Sequence, residues 1–235
     1  MPRQPATIFR HKLATRLWHW VTVVTVFILI GSGLGILNAH PHLYWGKFGA
    51  NFDHPWLNLP HMPEWATIPG HYNLAISRRW HLLFALVLGF ALLGFMVISL
   101  INRHFQRELR VRAEEIKPRH LLEDAKAHLV FRFHDPKRPG AYNTLQKLSY
   151  VATIFVLLPL MIGTGLTMSP GMDAAWPWLL DLFGGRQSAR SIHFIAASAL
   201  VGFIIVHLAL VILAGAGNEV RSMLTGQWRV PEDEA

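Results

Sequence analysis

The stretch IHFIAASALVGFIIVHLALVILAGA, residues 192–216, decides how this chain is organised. It contains no Asp, Glu, Lys or Arg over 25 residues, so as a helix it can cross the roughly 30 Å hydrocarbon core of a bilayer. Its two histidines, His193 and His207, lie fourteen residues apart. Fourteen residues make almost four helical turns, so both imidazoles face one direction, roughly 21 Å apart along the axis. Ionisable residues inside a membrane span are costly and usually functional.

Three other runs share this character, and together the four hold none of the chain's Asp, Glu, Lys or Arg residues. Each run is 21 to 25 residues long: about 17–37, 81–101, 148–168 and 192–216. Helices satisfy their own backbone hydrogen bonds, so such runs form spanning helices. The sequence therefore predicts an all-α membrane protein, a four-transmembrane-helix bundle forming one domain over residues 1–235. The alternative, a soluble helical bundle, needs a polar face on each helix, and these runs lack one.

The distribution of basic residues predicts the orientation. Seventeen Lys and Arg lie in the N-terminal arm, the segment 102–147 and the C-terminal tail, against five in segments 38–80 and 169–191. By the positive-inside rule, both termini and the loop 102–147 are cytoplasmic, and the loop 38–80 is external. Helical spacing within the cytoplasmic loop predicts a short helix on the membrane surface over His120–Phe133. The net charge of +8 follows from this topology and from attraction to anionic lipid, without nucleic-acid binding.

Two further histidines, His19 and His81, lie near the starts of the first two runs. With this orientation, His19 shares the cytoplasmic depth of His207, and His81 shares the external depth of His193. The absence of Cys excludes iron–sulfur clusters and the covalent attachment of c-type haem. Two opposed histidine pairs therefore predict two b-type haems, one near each face, and a path for electrons across the bilayer. Two imidazoles fill both axial positions of each iron, which favours electron exchange over ligand binding.

An arginine precedes three of these histidines by three residues: Arg16, Arg78 and Arg190. Three residues are about one helical turn, which places each guanidinium nearer the aqueous face. Arginine matches carboxylates in charge and geometry, so these residues are candidate contacts for haem propionates. The alternative is that each arginine simply marks the end of a helix.

Glycines in the first and third runs remove side-chain bulk. They allow either close helix packing or room for a porphyrin, and the sequence does not separate the two. These residues are Gly31, Gly33, Gly35, Gly163 and Gly165.

Three motifs carry a family resemblance: Thr15-Arg16-Leu17-Trp18-His19-Trp20, Arg79-Trp80-His81 and Tyr142-Asn143-Thr144-Leu145-Gln146-Lys147. With the histidines of the fourth run, they resemble the di-haem cytochrome b subunits of formate dehydrogenases, nickel–iron hydrogenases and thiosulfate reductases, a bacterial cytochrome b561-like family. The resemblance covers all four helices but not the long external loop. It implies a multi-pass protein of the bacterial cytoplasmic (inner) membrane, linking a periplasmic catalytic subunit to the quinone pool.

In the formate dehydrogenase member, a Tyr-Asn-x-x-Gln-Lys motif enters the third helix beside a menaquinone. The resemblance therefore implies quinone contacts, with menaquinone or ubiquinone as the substrate. Leu145 stands where that relative has glycine, so backbone access there differs. The alternative for this motif is an ordinary polar helix start. The implied quinone contacts are Tyr142, Asn143, Gln146, Lys147 and His207.

The external loop 38–80 is rich in Pro, His and aromatic residues, and its prolines forbid a long helix. Its length suggests the hypothesis that it docks a periplasmic partner, a molybdenum enzyme or a hydrogenase. Three alternatives stay open: a stand-alone cytochrome b561-type quinone oxidoreductase, a haem-free histidine-based transporter, and a purely structural anchor. The sequence does not set the direction of electron flow.

Overall fold

The computed structural model describes residues 6–49, 53–129 and 142–230. Within these residues four helical spans are long and apolar enough to cross a membrane, in agreement with the prediction. The spans begin earlier than the apolar runs, because polar first turns such as Leu13–Arg16 continue the helix beyond the apolar stretch. The four spans are α1 (Leu13–Ala39), α2 (Leu74–Ile101), Thr144–Met168 and α8 (Arg186–Leu213).

The third span is not a uniform helix. It consists of α4 (Thr144–Ala152), a π-helical turn (Thr153–Leu157) and α5 (Leu158–Met168). Pro159 explains the interruption, because proline lacks an N–H donor and its ring clashes with the carbonyl four residues earlier. A π-helical turn is a common way to absorb such a local break.

Shorter elements connect the spans, and α3 occupies most of the predicted surface helix. It begins at Pro118, a residue favoured in the first turn of a helix. The remainder of that prediction, residues 130–133, lies outside the described residues, as do Lys137 and Arg138 of the same loop. The shorter elements are β1 (Thr7–Phe9), β2 (His42–Leu43), β3 (Leu57–Asn58), a 3₁₀ turn (Glu64–Ala66), a π turn (Phe105–Leu109), α3 (Pro118–Leu129), α6 (Pro170–Ala175), α7 (Trp178–Leu182), α9 (Ala216–Thr225) and β4 (Gln227–Arg229).

The chain, predicted to form one domain, divides by its contacts into two compact units. The terminal unit comprises Met1–Trp20, Leu93–Ile154 and Gly202–Ala235. The loop unit comprises Val21–Leu92 and Phe155–Val201. Each of the four spans contributes residues to both units, and His81 and His193 belong to one unit while His19 and His207 belong to the other.

In the loop unit, the segment between α1 and α2 is tied to the start of α8. Strands β2 and β3 pair antiparallel, with His42 opposite Asn58. The Ser191 hydroxyl donates to the Tyr44 carbonyl at 2.6 Å, and the Trp56 indole N–H donates to the Ser191 hydroxyl at 2.9 Å. Ser191 lies two residues before His193, so the loop is anchored beside a candidate ligand.

In the terminal unit, the two ends of the chain are joined. Strands β1 and β4 pair antiparallel, and Trp228 of β4 is only 1% exposed. Arg10 forms an ion pair with Glu219 at 3.0 Å, and the Trp228 indole N–H donates to the same carboxylate at 2.8 Å. Gly226 ends α9 with a positive φ of 84°, the backbone conformation that turns the chain into β4.

Candidate functional site

The loop unit brings His81 of α2 and His193 of α8 together. Their ring centroids are 6.2 Å apart, and the ring planes are inclined by 62°. Both residues lie in apolar helical segments, and no Asp, Glu, Lys or Arg lies within the run that follows either histidine. The two imidazoles therefore face each other across a short gap in an apolar environment.

A hydroxyl group contacts each of these imidazoles. Ser32 Oγ of α1 is 3.1 Å from His81 Nδ1, and Thr164 Oγ1 of α5 is 2.9 Å from His193 Nδ1. Both Ser32 and Thr164 are fully buried. Buried polar groups are costly unless they are hydrogen-bonded, so these contacts define the orientation of both rings.

Two glycines lie against the same imidazoles. A Cβ atom on Gly33 would be 3.4 Å from His81 Cε1, and one on Gly165 would be 3.5 Å from His193 Cε1. These glycines therefore give the imidazoles room. The other three glycines of the two runs approach protein side chains instead: Gly31 approaches Ile68, Gly35 approaches Ser77 and Gly163 approaches Phe183. All five glycines thus allow close packing against a side chain, and room for a porphyrin stays a prediction.

Two of the predicted propionate contacts belong to the loop unit. The Arg190 guanidinium donates to the backbone carbonyl of His40. Burial lowers the pKa of His40, and the charges of Arg190 and Arg78 lower it further. Both arginines therefore act on the same position, at the end of α1, where two guanidinium groups favour an anion.

The terminal unit brings His19 of α1 and His207 of α8 together. Their ring centroids are 6.5 Å apart, and the ring planes are inclined by 63°. The His207 ring stacks on Phe203, with centroids 5.7 Å apart and an interplanar angle of 12°. His19 Nδ1 is buried and has no hydrogen-bond partner among the described residues.

Two other buried donors of the terminal unit have no hydrogen-bond partner among the described residues. Arg16 donates to the backbone carbonyl of Leu224, but its Nε has no partner among the described residues. The indole N–H of Trp18 also lacks a partner there, while the Trp18 ring stacks on Phe95 at 4.0 Å. Buried donors without partners are rare in folded proteins and indicate a missing acceptor.

The geometry of both pairs can be compared with what a haem requires. Two imidazole nitrogens on opposite sides of one metal ion, at about 2 Å each, place the ring centres roughly 6 Å apart. The observed spacings of 6.2 Å and 6.5 Å fit this arrangement. Among the described residues, no group of three or more His, Asp or Glu side chains could hold a metal ion. A b-type haem needs only two protein ligands, because the porphyrin supplies the others.

The motif at the start of the third span forms a capped helix end. The Asn143 side chain accepts from the Gln146 backbone N–H at 2.9 Å, and the Gln146 side chain accepts from the Asn143 backbone N–H at 3.3 Å. This reciprocal arrangement is a capping box. Lys147 forms an ion pair with Glu115 at 3.1 Å. The structure thus gives three of the implied quinone contacts a structural role at the helix start.

Tyr142 begins a series of aromatic contacts in the terminal unit. Its ring lies 5.2 Å from that of Tyr150, which lies 6.5 Å from Phe203, the residue stacked on His207. Burial raises the pKa of Tyr142, so its phenol stays protonated. The Arg10 guanidinium lies 5.9 Å from the centre of the Tyr142 ring. Aromatic rings thus connect a candidate iron ligand with the implied quinone motif.

Sequence reasoning missed several of these residues, above all Ser32 and Thr164. A signal was present, because Gly31-Ser32-Gly33 and Gly163-Thr164-Gly165 repeat one pattern in the first and third spans. The prediction included the glycines of both patterns but not the hydroxyl residue between them. Phe203 and Tyr150 carry no such signal, since single aromatics are common in apolar spans.

This arrangement, with histidines of different spans facing each other in pairs, is typical of helical membrane proteins that carry b-type haem. A profile of the prokaryotic cytochrome b561 family matches residues 10–226. The chain belongs to the prokaryotic cytochrome b561 family and is a membrane electron-transfer protein with b-type haem. The resemblance seen in the sequence motifs is therefore confirmed.

Several relatives are similar over most of their length, and their names are provisional. A protein of Azospira oryzae named as the protein-methionine-sulfoxide reductase subunit YedZ1 is 30% identical over 206 residues, 86% of this chain and 90% of that protein. An Ni/Fe-hydrogenase B-type cytochrome subunit of Azotobacter vinelandii is 25% identical over 243 residues, 99% of this chain and 92% of that protein. One of Cupriavidus necator is 22% identical, over 92% of this chain and 84% of that protein. No solved structure matches the chain.

Proposed function

We propose that this chain transfers electrons across the bacterial cytoplasmic membrane, between a periplasmic catalytic subunit and the quinone pool, with two b-type haems as carriers. The observation that supports the number two is the repetition of one geometry. Two histidine pairs, one in each unit, have ring spacings that fit a single iron ion. Family membership alone supports b-type haem without giving a count.

The chain's own residues hold and insulate the cofactor. His81 with His193, and His19 with His207, would each hold one haem between two imidazoles, and the haem would supply electron exchange rather than binding of oxygen or another substrate. The apolar spans exclude water from the pairs. Arg16, Arg78 and Arg190 supply positive charge for the carboxylates of the cofactor at the ends of the spans.

The quinone end is proposed for the terminal unit. That unit holds the Tyr142–Lys147 motif and the aromatic contacts Tyr142, Tyr150 and Phe203 that lead to His207. Because Asn143 and Gln146 cap α4, we assign quinone contact first to Tyr142 and Lys147. The excess of basic residues predicts that this end faces the cytoplasm.

The names of the relatives point to two kinds of catalytic partner. A hydrogenase would deliver electrons towards quinone, and a methionine sulfoxide reductase would withdraw them from quinol. The segment 38–80 is the proposed docking surface, because it is anchored on α8 through Ser191 beside His193. Shortening this segment should abolish electron transfer to the partner, and normal transfer would contradict the docking role. Isolation of the chain without any larger subunit would instead favour a stand-alone quinone oxidoreductase.

The test of this function is a cofactor count with a redox titration. We expect purified protein from membranes to give two b-type haems per chain by pyridine haemochrome, and two components in the titration. Quinol should reduce both components in the membrane-embedded protein. Protein without haem, after expression with ample iron and porphyrin supply, would contradict the proposal, and one haem per chain would remove its two-centre part.

A further inference from the structure

Two hydroxyl groups occupy equivalent positions in different spans of the loop unit. Ser32 lies between Gly31 and Gly33 in α1, and Thr164 lies between Gly163 and Gly165 in α5. Each hydroxyl belongs to a fully buried side chain and contacts Nδ1 of one histidine, His81 or His193. The same local device thus appears twice, on both sides of one histidine pair.

The direction of these hydrogen bonds follows from the second partner of each hydroxyl. Ser32 Oγ donates to the Ile28 carbonyl at 2.7 Å, and Thr164 Oγ1 donates to the Leu160 carbonyl at 2.6 Å. A hydroxyl has one proton, so each oxygen can only accept from the imidazole that it contacts. This pattern of acceptors favours the tautomer of His81 and His193 that carries its proton on Nδ1.

A second carbonyl of the same helix lies near each hydroxyl. Ser32 Oγ is 3.3 Å from the Leu29 carbonyl oxygen, and Thr164 Oγ1 is 3.3 Å from the Met161 carbonyl oxygen. A carbonyl can only accept, so in each contact the hydroxyl proton has a carbonyl acceptor and the imidazole is left as the donor. With Nδ1 protonated, Nε2 keeps its lone pair and is the nitrogen available to a metal.

We propose that Ser32 and Thr164 are positioning residues for the iron ligands His81 and His193. They fix the tautomer in which Nε2 binds iron, and they set the rotation of each ring while Gly33 and Gly165 leave room for its Cε1 edge. This inference rests on the proposed function, because it presupposes that His81 and His193 hold one haem. Hydrogen bonding at the outer nitrogen also raises the basicity of the ligand, which favours the oxidised iron.

In the terminal unit, at least one histidine has no such hydroxyl contact at Nδ1 among the described residues. His19 Nδ1 is buried without a partner among the described residues. A change of Ser32 or Thr164 should therefore alter only one of the two haems, and the other serves as an internal reference in the same molecule.

The experiment compares, at each position, a variant that loses the hydroxyl with a variant that keeps it. Thr164→Val keeps the shape of the side chain and removes the hydroxyl, whereas Thr164→Ser keeps the hydroxyl. Ser32→Ala and Ser32→Thr form the matching pair. Ser198→Ala is the control, because Ser198 of α8 makes the same type of bond to the carbonyl four residues earlier but is hydrogen-bonded to no histidine. The readouts are haem content, a redox titration of both components and low-temperature electron paramagnetic resonance.

We expect Thr164→Val and Ser32→Ala to raise the midpoint potential of one component and to shift its resonance, since the ligand becomes less basic and its ring less restrained. Apparent haem affinity at that position should fall roughly tenfold, the lower end of the usual range for such outer contacts, because both imidazole ligands are kept. Thr164→Ser and Ser32→Thr should restore the parent values. The second component and Ser198→Ala should be unchanged.

Three results would overturn the assignment. Parent potentials and resonances in both hydroxyl-free variants would exclude a role for the hydroxyls. An equal change in both components would indicate a general loss of structure. Failure of Thr164→Ser to restore the parent values would assign the effect to the methyl group. Failure of the proposed function looks different, since the parent protein itself would then lack two haems or keep both after loss of His81.

Discussion

The two histidine pairs are almost alike in spacing but differ in how their rings are held. In the loop unit, hydroxyl groups and glycines contact His81 and His193 directly. In the terminal unit, His207 stacks on Phe203 and His19 Nδ1 has no partner among the described residues. One pair is thus oriented by directional hydrogen bonds, and the other mainly by ring packing.

The spacing of two imidazoles and the hydrogen bonds that set their basicity are therefore separate properties of a pair. Ring spacing within 0.3 Å between the pairs, 6.2 Å against 6.5 Å, indicates that both can hold the same kind of cofactor. The hydrogen bonds that set ligand basicity differ between the pairs, so we expect two different potentials.

The largest expected effect is that of replacing a proposed iron ligand. If each pair holds one haem, as proposed, His81→Ala and His193→Ala should each remove the same haem, and His19→Ala and His207→Ala the other. Each variant should keep about one of two haems by pyridine haemochrome, with one component left in the titration. If His19→Ala and His81→Ala removed the same component, the pairing would be wrong.

A larger side chain beside His81 or His193 should affect the loop unit and leave the terminal unit unchanged. Gly33→Leu and Gly165→Leu place a branched side chain where a Cβ atom alone already comes within 3.4 Å and 3.5 Å of the ligand ring. We expect loss of the loop-unit haem and retention of the other, measured by haem content and spectra. Gly89→Leu is the control, since a Cβ there meets no atom within 4 Å. Equal haem loss in the control would contradict this role of the glycines.

Acid should weaken the terminal unit through His11. Burial, with the charge of Arg10, lowers the pKa of His11 to about 4 from its ordinary 6.5. The unfolded chain therefore binds this proton first, and the contribution of neutral His11 is complete above pH 6.5 and falls as pH drops to about 4. A shift of this size corresponds to about 3 kcal/mol in the free energy of unfolding.

Limited proteolysis of the terminal arms between pH 7 and pH 4 measures this effect. The parent protein should become more susceptible at acid pH, because the arms carry β1 and β4 around His11. His11→Gln cannot be protonated in this range and should show a flatter pH dependence. An identical pH dependence in parent and variant would assign the acid effect to other groups.

The smallest expected effect concerns the ion pair of Lys147 with Glu115. Burial alone raises the pKa of Glu115, but hydrogen bonds from the Arg112 backbone and from Lys147 outweigh it and lower the pKa below 4.5. The stabilisation by this pair is therefore complete above pH 4.5 and is lost as pH falls through the lowered value. A partly exposed pair contributes only about 0–1 kcal/mol.

Two matched variants separate the ion pair from quinone contact. Lys147→Gln and Glu115→Gln both remove the pair, but only Lys147→Gln removes the proposed quinone contact. We expect Lys147→Gln to slow quinone turnover severalfold while both haem spectra stay intact, and Glu115→Gln to have little effect. Equal turnover in the two variants would limit Lys147 to its structural role.

Periodicity and length were sufficient to predict the four spans, because an apolar run in lipid has few alternatives to a helix. Helix geometry predicted that His193 and His207 face one direction, and the orientation given by the basic residues predicted which partner each of them meets. The π-helical turn before Pro159 was not predicted, although proline is a known cause. The capping box of Asn143 and Gln146 matched the ordinary alternative for that motif, which the sequence left open beside quinone contact.

The sequence by itself determined that histidines lie at two depths on a helix without charge, because helix geometry is local. Which atoms surround each imidazole depends on the tertiary structure. Ser32 and Gly33 come from α1, and Thr164 and Gly165 from α5, whereas the histidines come from α2 and α8. Hydrogen bonds between different helices depend on how those helices pack, and no spacing within one helix encodes that packing.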